Sequence, residues 1–334
     1  MELIDLTLIW VVIISFSVLM YVLMDGFDLG VGILFPFAPG DAARDDMMNS
    51  VAPIWDGNET WLVLGGAGLL AAFPLLYTVL LPALYIGVFL LLAGLIFRGV
   101  AFEFRFKAGH SKRYWDYAFN IGSTVAAFAQ GAVVGAYIQG FSTEGFNYVG
   151  GALDWLTPFT VMTGLGVVTG YALLGATWTI MKTEGEVQQW AFRTAPKLLL
   201  ILMGFFLLVS LWTPMVEARV LTRWLDNAAV LWVLPGLTVV VAAGLWHALS
   251  KRWEALPFLL TMAIFILFLS GMMISMWPYA IPPTYTFHDA ASDPSSQLFL
   301  LLGFLFVIPI VLGYTAWTYW VFRGKVSGQQ GYGH

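Results

Sequence analysis

The chain has 334 residues, of which 60% are hydrophobic and only 10% charged, with a formal net charge of −5. A soluble domain carries roughly a quarter charged residues to cover its surface, so this composition excludes a water-soluble globule and points to lipid as the covering medium. The charge is diffuse and forms no basic stripe for a phosphate backbone, which argues against nucleic-acid binding. The absence of cysteine excludes disulfides, thiolate metal sites and cysteine nucleophiles.

The chain opens on Met1-Glu2-Leu3-Ile4-Asp5-Leu6, acidic and without the positive n-region of a signal peptide. The first apolar run, about residues 7–35, is therefore expected to be a retained span that begins outside the cell. A helix needs roughly 20 apolar residues to cross ~30 Å of hydrocarbon. Further windows of that kind lie at about 51–73, 79–102, 116–140, 156–181, 198–216, 228–249, 256–278 and 298–322. The expected fold is thus an all-α integral membrane protein of nine transmembrane helices. With the N-terminus outside, the cytoplasmic segments hold Arg44, Arg105, Lys107, Lys112, Arg113, Lys182, Arg193, Lys197, Lys251, Arg252, Arg323 and Lys325. Only Arg98, within a span, and Arg219 and Arg223, outside, depart from the alternation that the positive-inside rule requires. The same count places the C-terminus in the cytoplasm. Fifteen Trp and 13 Tyr suit the headgroup level, where amphipathic rings collect.

A polar stretch from Ser142 to Asp154 divides the first four spans from the rest. Residues 1–140 are expected to form a four-helix bundle that holds a polar cluster, and residues 141–334 a second four-helix bundle plus a last helix. Glycines at Gly26/Gly30, Gly65/Gly66/Gly68 and Gly166/Gly170 offer faces for close helix packing.

Ionisable groups inside the apolar runs carry the functional signal. Asp25 and Asp28 stand three apart, on one face of the first span. Asp56 and Glu59 open the second span with the same spacing, beside Trp55, Asn58 and Trp61, and Arg98 nears the end of the third, followed by Glu103. An acid or base at bilayer depth costs at least ~2.5–3.5 kcal/mol, so such groups face protein or water and tend to pair. Orientation brings all three helices' charges to one level near the cytoplasmic side, with Asp56 only about 8 Å in. The expectation is a cluster of four or five carboxylates around Arg98. It can lock three helices together, and its excess of acids also suits a proton passage from the cytoplasm; the two roles are compatible.

The histidines are His110 and His288 in opposite loops, His247 near a helix end, and His334 as the last residue. A membrane haem with two axial imidazoles needs two histidines facing each other at one depth, and the sequence offers no such pair. His247 reads as an interfacial side chain. No metal cluster, P-loop or dinucleotide fingerprint is present, so a redox cofactor is expected in another chain and none on this one alone.

Several runs resemble cytochrome bd-type quinol oxidase subunit II. They are Asp25-Gly26-Phe27-Asp28-Leu29-Gly30-Val31-Gly32, then Asn49-Ser50-Val51-Ala52-Pro53-Ile54-Trp55-Asp56-Gly57-Asn58-Glu59-Thr60-Trp61, then Phe97-Arg98-Gly99-Val100-Ala101-Phe102-Glu103-Phe104-Arg105. Tyr171-Ala172-Leu173-Leu174-Gly175-Ala176-Thr177-Trp178 and Lys182-Thr183-Glu184-Gly185 add to the match, and the texture of the chain is similar to the cyanide-insensitive branch. The resemblance implies a bacterial inner-membrane respiratory enzyme that oxidises quinol and reduces oxygen to water, electrogenic without pumping. It implies two b-type haems and haem d in a partner subunit I of like fold, in a heterodimer with small single-span accessory subunits as further candidates, surrounded by lipid and quinone. Carried over onto this sequence, Asp56 becomes the acid of the Trp-Asp-Gly-Asn motif at the subunit interface, feeding protons toward the oxygen-reducing haem. Trp55 shapes that path, and Asp25, Asp28 and Arg98 share its polar region. Glu59 departs from relatives that place an uncharged residue there, and it adds an acid to the passage. Two rivals stand beside this expectation. One is a proton-coupled secondary transporter using Asp25, Asp28 and Asp56, and the other a purely structural membrane partner of a catalytic subunit.

Overall fold

The computed structural model describes residues 5–226 and 228–326, so His334 lies outside the described residues. The chain runs through α1 (Leu6–Leu34), α2 (Asp41–Val51), α3 (Trp55–Ala72), α4 (Pro74–Arg105) and α5 (Lys112–Gln139). A small hairpin, β1 (Thr143–Glu144) with β2 (Asn147–Tyr148), follows. Next come α6 (Pro158–Lys182), α7 (Gly185–Val216), the short α8 (Ala218–Asp226), α9 (Ala228–Ser250) and α10 (Leu256–Met276). A second hairpin, β3 (Tyr279–Ile281) with β4 (Tyr285–Thr286), leads through α11 (Phe287–Ala290) to α12 (Pro294–Val321).

Eight of these helices are long and apolar enough to cross a membrane, namely α1, α4, α5, α6, α7, α9, α10 and α12. The remaining expected span, α3, is a helix of 18 residues whose first turns carry Asp56, Asn58 and Glu59, which lower its apolarity. Element ends differ from the hydrophobic windows for local reasons. The window at 51–73 merges the end of α2 with α3, which a break at 52–54 separates. Pro74 opens α4 directly after Phe73, because a first-turn proline loses no helical hydrogen bond, so no separate turn occupies 74–78. Helix α7 begins at Gly185, since its polar first turns extend a helix whose apolar part alone defined the window.

Helix α1 packs against α3, α5 and α6, and from it the rest is arranged. Its crossing with α6 brings backbone against backbone. A Cβ on Gly30 would collide with the Tyr171 carbonyl, and one on Gly175 with the Gly30 backbone. The α4–α5 crossing repeats the device at Gly94 and Gly122, where a Cβ would lie 2.6 Å from the opposing carbonyl oxygen. Small residues matter here because lipid provides no hydrophobic drive between helices and close dispersion contact must supply it. The expected glycine faces divide accordingly. Gly26, Gly30 and Gly170 are tightly met, whereas Gly66 and Gly166 have ordinary clearance.

The two ends of the bundle are tied differently. At one end the hairpins meet, with Phe146 stacked on Tyr285 at 4.2 Å, the Phe141 amide donating to the Pro282 carbonyl, and His288 against Asp5 at 3.0 Å. At the other, Arg105 donates to Asp45 at 2.6 Å and to Asp116 at 2.5 Å, Lys112 adds a contact to Asp45 at 3.0 Å, and Lys325 reaches Glu254 at 2.9 Å. Arg105, expected as a loop base, is the fully buried end of α4 and pins α2 and α5 to it. Burial by itself would raise the Asp45 carboxyl, but hydrogen bonds and charge from Arg105 and Lys112 outweigh it and hold the group below its ordinary 3.8.

Two outcomes follow. Gly30→Leu or Gly175→Leu forces the α1–α6 backbones apart, and overpacking of that kind costs at least about 1–3 kcal/mol, so a clear fall in thermal stability in detergent is expected. A depressed folded-state value means that Asp45 stabilises the α2 anchor above its ordinary value of 3.8 and that this contribution is lost as pH falls through the folded value. Acid titration of protease accessibility at α2 should show that loss, and Asp45→Asn should remove the acid-dependent step.

Candidate functional site

Between α1, α3 and α4 the charges expected from sequence meet. Arg98 of α4 is fully buried and donates through Nη1 to Asp25 Oδ1 at 2.5 Å and through Nη2 to Glu59. Asp25 is also fully buried, while the Glu59 side chain keeps 25% of its surface exposed and so connects the interior to the outside of the chain. Asp28, one turn along α1, is fully buried and accepts from Asn58 Nδ2 at 2.7 Å. The same Nδ2 reaches the Met24 carbonyl at 3.3 Å, and Asn58 Oδ1 accepts from the Tyr319 hydroxyl of α12 at 2.9 Å. Three carboxyls thus surround one guanidinium, two of them paired with it and Asp28 held by an amide alone.

Local sequence explains the meeting. Spacing of three puts Asp25 and Asp28 on one helical face, yet the two turn to different partners, Asp25 to α4 and Asp28 to α3. Pro53 ends the run before α3, so that Asn58 and Glu59 fall in its second turn and face α1 and α4. Trp55 lies flat on Phe102 at 5.0 Å with Gly99 beneath its ring, fixing the start of α3 on α4.

The cluster is smaller than the sequence suggests. Asp56 is exposed and lies outside it, on the outward side of α3, three residues before Glu59. Glu103 is also exposed and pairs with Lys107 at 3.6 Å. The expectation of four or five carboxylates around Arg98 thus reduces to three, because Asp56 and Glu103 point to the exterior. Conversely, sequence reasoning missed several hydrogen-bonding partners. Besides Tyr319 these are Tyr21, Gln130 and Tyr171, with Gln130 donating to the Tyr21 hydroxyl at 3.0 Å and Tyr171 donating to Gln130 at 2.7 Å. Asn58 and Tyr171 belong to the runs that carry the family resemblance, whereas Tyr21, Gln130 and Tyr319 sit in apolar runs with no local signal.

Haem ligation finds no support in the described histidines. His288 sits at the hairpin end against Asp5, whereas His247 is exposed near the far end of α9, edge-on to Trp253 rather than to a second imidazole. His110 lies in the exposed turn between α4 and α5. These residues do not fit a two-imidazole haem site.

Fold and site together define a polytopic, all-α membrane protein with a charge cluster buried between three of its helices. The sequence matches the family model of cytochrome bd terminal oxidase subunit II over residues 6–322. The chain belongs to that family. It is 31% identical to the cytochrome bd-I ubiquinol oxidase subunit 2 of Escherichia coli K12, over 96% of this chain and 95% of the relative. It is 27% identical to the cytochrome bd ubiquinol oxidase subunit 2 of Bacillus subtilis, over 96% and 97%. The fold is that of a chain in the solved bd oxidase of Geobacillus thermodenitrificans, with a TM-score of 0.79 at 17% identity, covering 96% of this chain and 99% of that one. Family membership sets the transporter alternative aside: the chain is a subunit of a respiratory terminal oxidase and a multi-pass protein of the bacterial inner membrane.

Removing the cation tests the cluster's hold on the fold. Arg98→Leu leaves Asp25 buried without its countercharge, and breaking a buried pair from one side costs about 3–5 kcal/mol, which thermal unfolding of the purified complex should register. Asp25→Leu combined with Arg98→Leu is expected to cost less than Arg98→Leu alone.

Proposed function

We propose that this chain, as subunit II of a quinol-oxidising terminal oxidase, carries protons from the cytoplasm toward the oxygen-reducing haem of subunit I. The observation that carries this reading is the buried Asp25–Arg98–Glu59 and Asp28–Asn58 cluster with Glu59 reaching the exterior. Carboxyls bind and release protons, and intramembrane acids commonly mark such routes. Asp56 stands exposed one turn before Glu59 on α3 and suits a contact with the partner chain; Trp55 sets the angle of that helix. The fixed pair with Arg98 favours a second, compatible role as a lock between α1, α3 and α4.

The enzyme oxidises quinol and reduces oxygen as a complex with subunit I, and its haems supply the electron chemistry. We assign the two b-type haems and haem d to subunit I, a placement favoured by the poor fit of this chain's described histidines to haem. Nine crossings, with α3 as the ninth, put the N-terminus outside and the C-terminus in the cytoplasm. The gathering of Arg105, Lys112, Lys182 and Lys325 at one end of the bundle supports that orientation. In this reading α1, α3, α4 and α5 form one four-helix bundle, α6, α7, α9 and α10 the other, and α12 is the extra helix. Small single-span subunits, lipid and quinone complete the assembly.

The test replaces Asp56→Asn, Glu59→Gln and Asp28→Asn singly in the assembled oxidase, with oxygen consumption normalised to haem content. Proton transfer through a positioned group contributes large rate factors, so losses of at least about tenfold with normal haem are expected. Normal turnover with normal haem in all three would reject the passage, and joint loss of haem and turnover would assign the cluster to assembly.

A further inference from the structure

Asn58 is a two-ended group, and its surroundings allow one orientation. Its Nδ2 points at two acceptors, Asp28 Oδ2 and the Met24 carbonyl, while its Oδ1 meets a hydroxyl donor, Tyr319. Turned over, the amide would set its oxygen against a carboxyl and a carbonyl, neither of which donates unless the carboxyl is protonated toward it. Tyr319 comes from α12, the last helix, much of whose surface is exposed. Its ring is held edge-on by Trp178 at 6.3 Å and Phe27 at 6.5 Å, so the hydroxyl has little freedom to leave Asn58. With Oδ2 of Asp28 engaged by the amide, Oδ1 has no hydrogen-bond partner among the described residues and is the oxygen left to take a proton. A second tyrosine–amide chain, which ends on a hydroxyl instead of a carboxyl, lies near the other aspartate of α1. There the Tyr171 hydroxyl donates to Gln130 Oε1, turning Gln130 Nε2 toward Tyr21, one turn from Asp25.

We infer that Tyr319 is a positioning residue for proton transfer at Asp28, acting through Asn58. It fixes the amide so that its donor holds Oδ2 and leaves Oδ1 to bind and release the proton. The inference deepens the proton-passage reading and rests on it. It also gives α12 a part in the site, since any displacement of that helix relative to α3 would free the amide to turn.

The experiment compares Asp28→Asn and Tyr319→Phe in the assembled oxidase, by turnover against pH, haem content and infrared difference spectroscopy of the protonated carboxyl stretch. The band lost in Asp28→Asn identifies the Asp28 carboxyl. Tyr319→Phe removes one hydroxyl and keeps the ring. It should slow turnover by about three- to tenfold, the scale of one lost buried hydrogen bond, move the pH profile and shift the Asp28 band with haem content normal. Slow Asp28→Asn beside Tyr319→Phe with unchanged rate, pH profile and band would overturn the inference and leave the passage standing. Loss of haem in Tyr319→Phe, or a slower rate with the band unmoved, would make the contact structural and overturn it too. Normal turnover of Asp28→Asn with normal haem would reject Asp28 as a relay, and with it the role of Tyr319.

Discussion

A guanidinium buried between helices in a lipid-solvated protein has no water to fall back on, and everything around Arg98 follows from that. Its charge must be met by carboxylates held at hydrogen-bond distance, and Asp25 and Glu59 come from two different helices to do so. The three helices are thereby fixed in depth and rotation. Well-packed apolar residues in place of a buried ion pair are often neutral or stabilising, so the trio is not needed for packing alone. On the proposed proton-passage reading the charges are chemistry retained at some cost to packing, and they also lock three helices together.

Close backbone contact makes the cluster possible. Gly30 and Gly175 let α1 approach α6 until no Cβ fits, and Gly94 with Gly122 do the same for α4 and α5. Helices held this near leave side chains little room to relax, so hydrogen-bond geometry at Asp28 and Asp25 is set by packing one turn away. The aromatic contacts work in the same direction. Trp55 on Phe102 seats α3, and Trp178 stacked on Phe27 at 4.1 Å builds the wall against which Tyr319 rests.

Polarity is distributed along the bundle by a similar logic. One end carries hairpins and short helices that cover the connections, and the other carries ion pairs that tie α2, α5 and the segment after α12 to the bundle. Lys182 donates to the Phe322 carbonyl at 2.6 Å and so satisfies a carbonyl at the end of the last helix. The oxidase subunit thus gathers its largest ion-pair network at one end, keeps isolated pairs such as Glu217–Arg219 and Asp5–His288 at the hairpin end, and leaves apolar faces for lipid and partner.

Much of this was legible in the residues alone. Long apolar runs have a single solution in lipid, because every backbone group must be satisfied within its own helix, so the all-α membrane fold followed from composition. Asp25, Asp28, Glu59 and Arg98 announced themselves because charge in such a run is too costly to be incidental. Helical spacing, however, reports only a residue's angle about its own axis. Whether Asp56 or Glu59 turns inward depends on how α3 is rotated against α1 and α4, and that rotation is set by contacts such as Trp55 on Phe102 between residues far apart in sequence. Tyr319 lies 261 residues from Asn58, so only the packed bundle could bring its hydroxyl to the amide and assign it a place in the site.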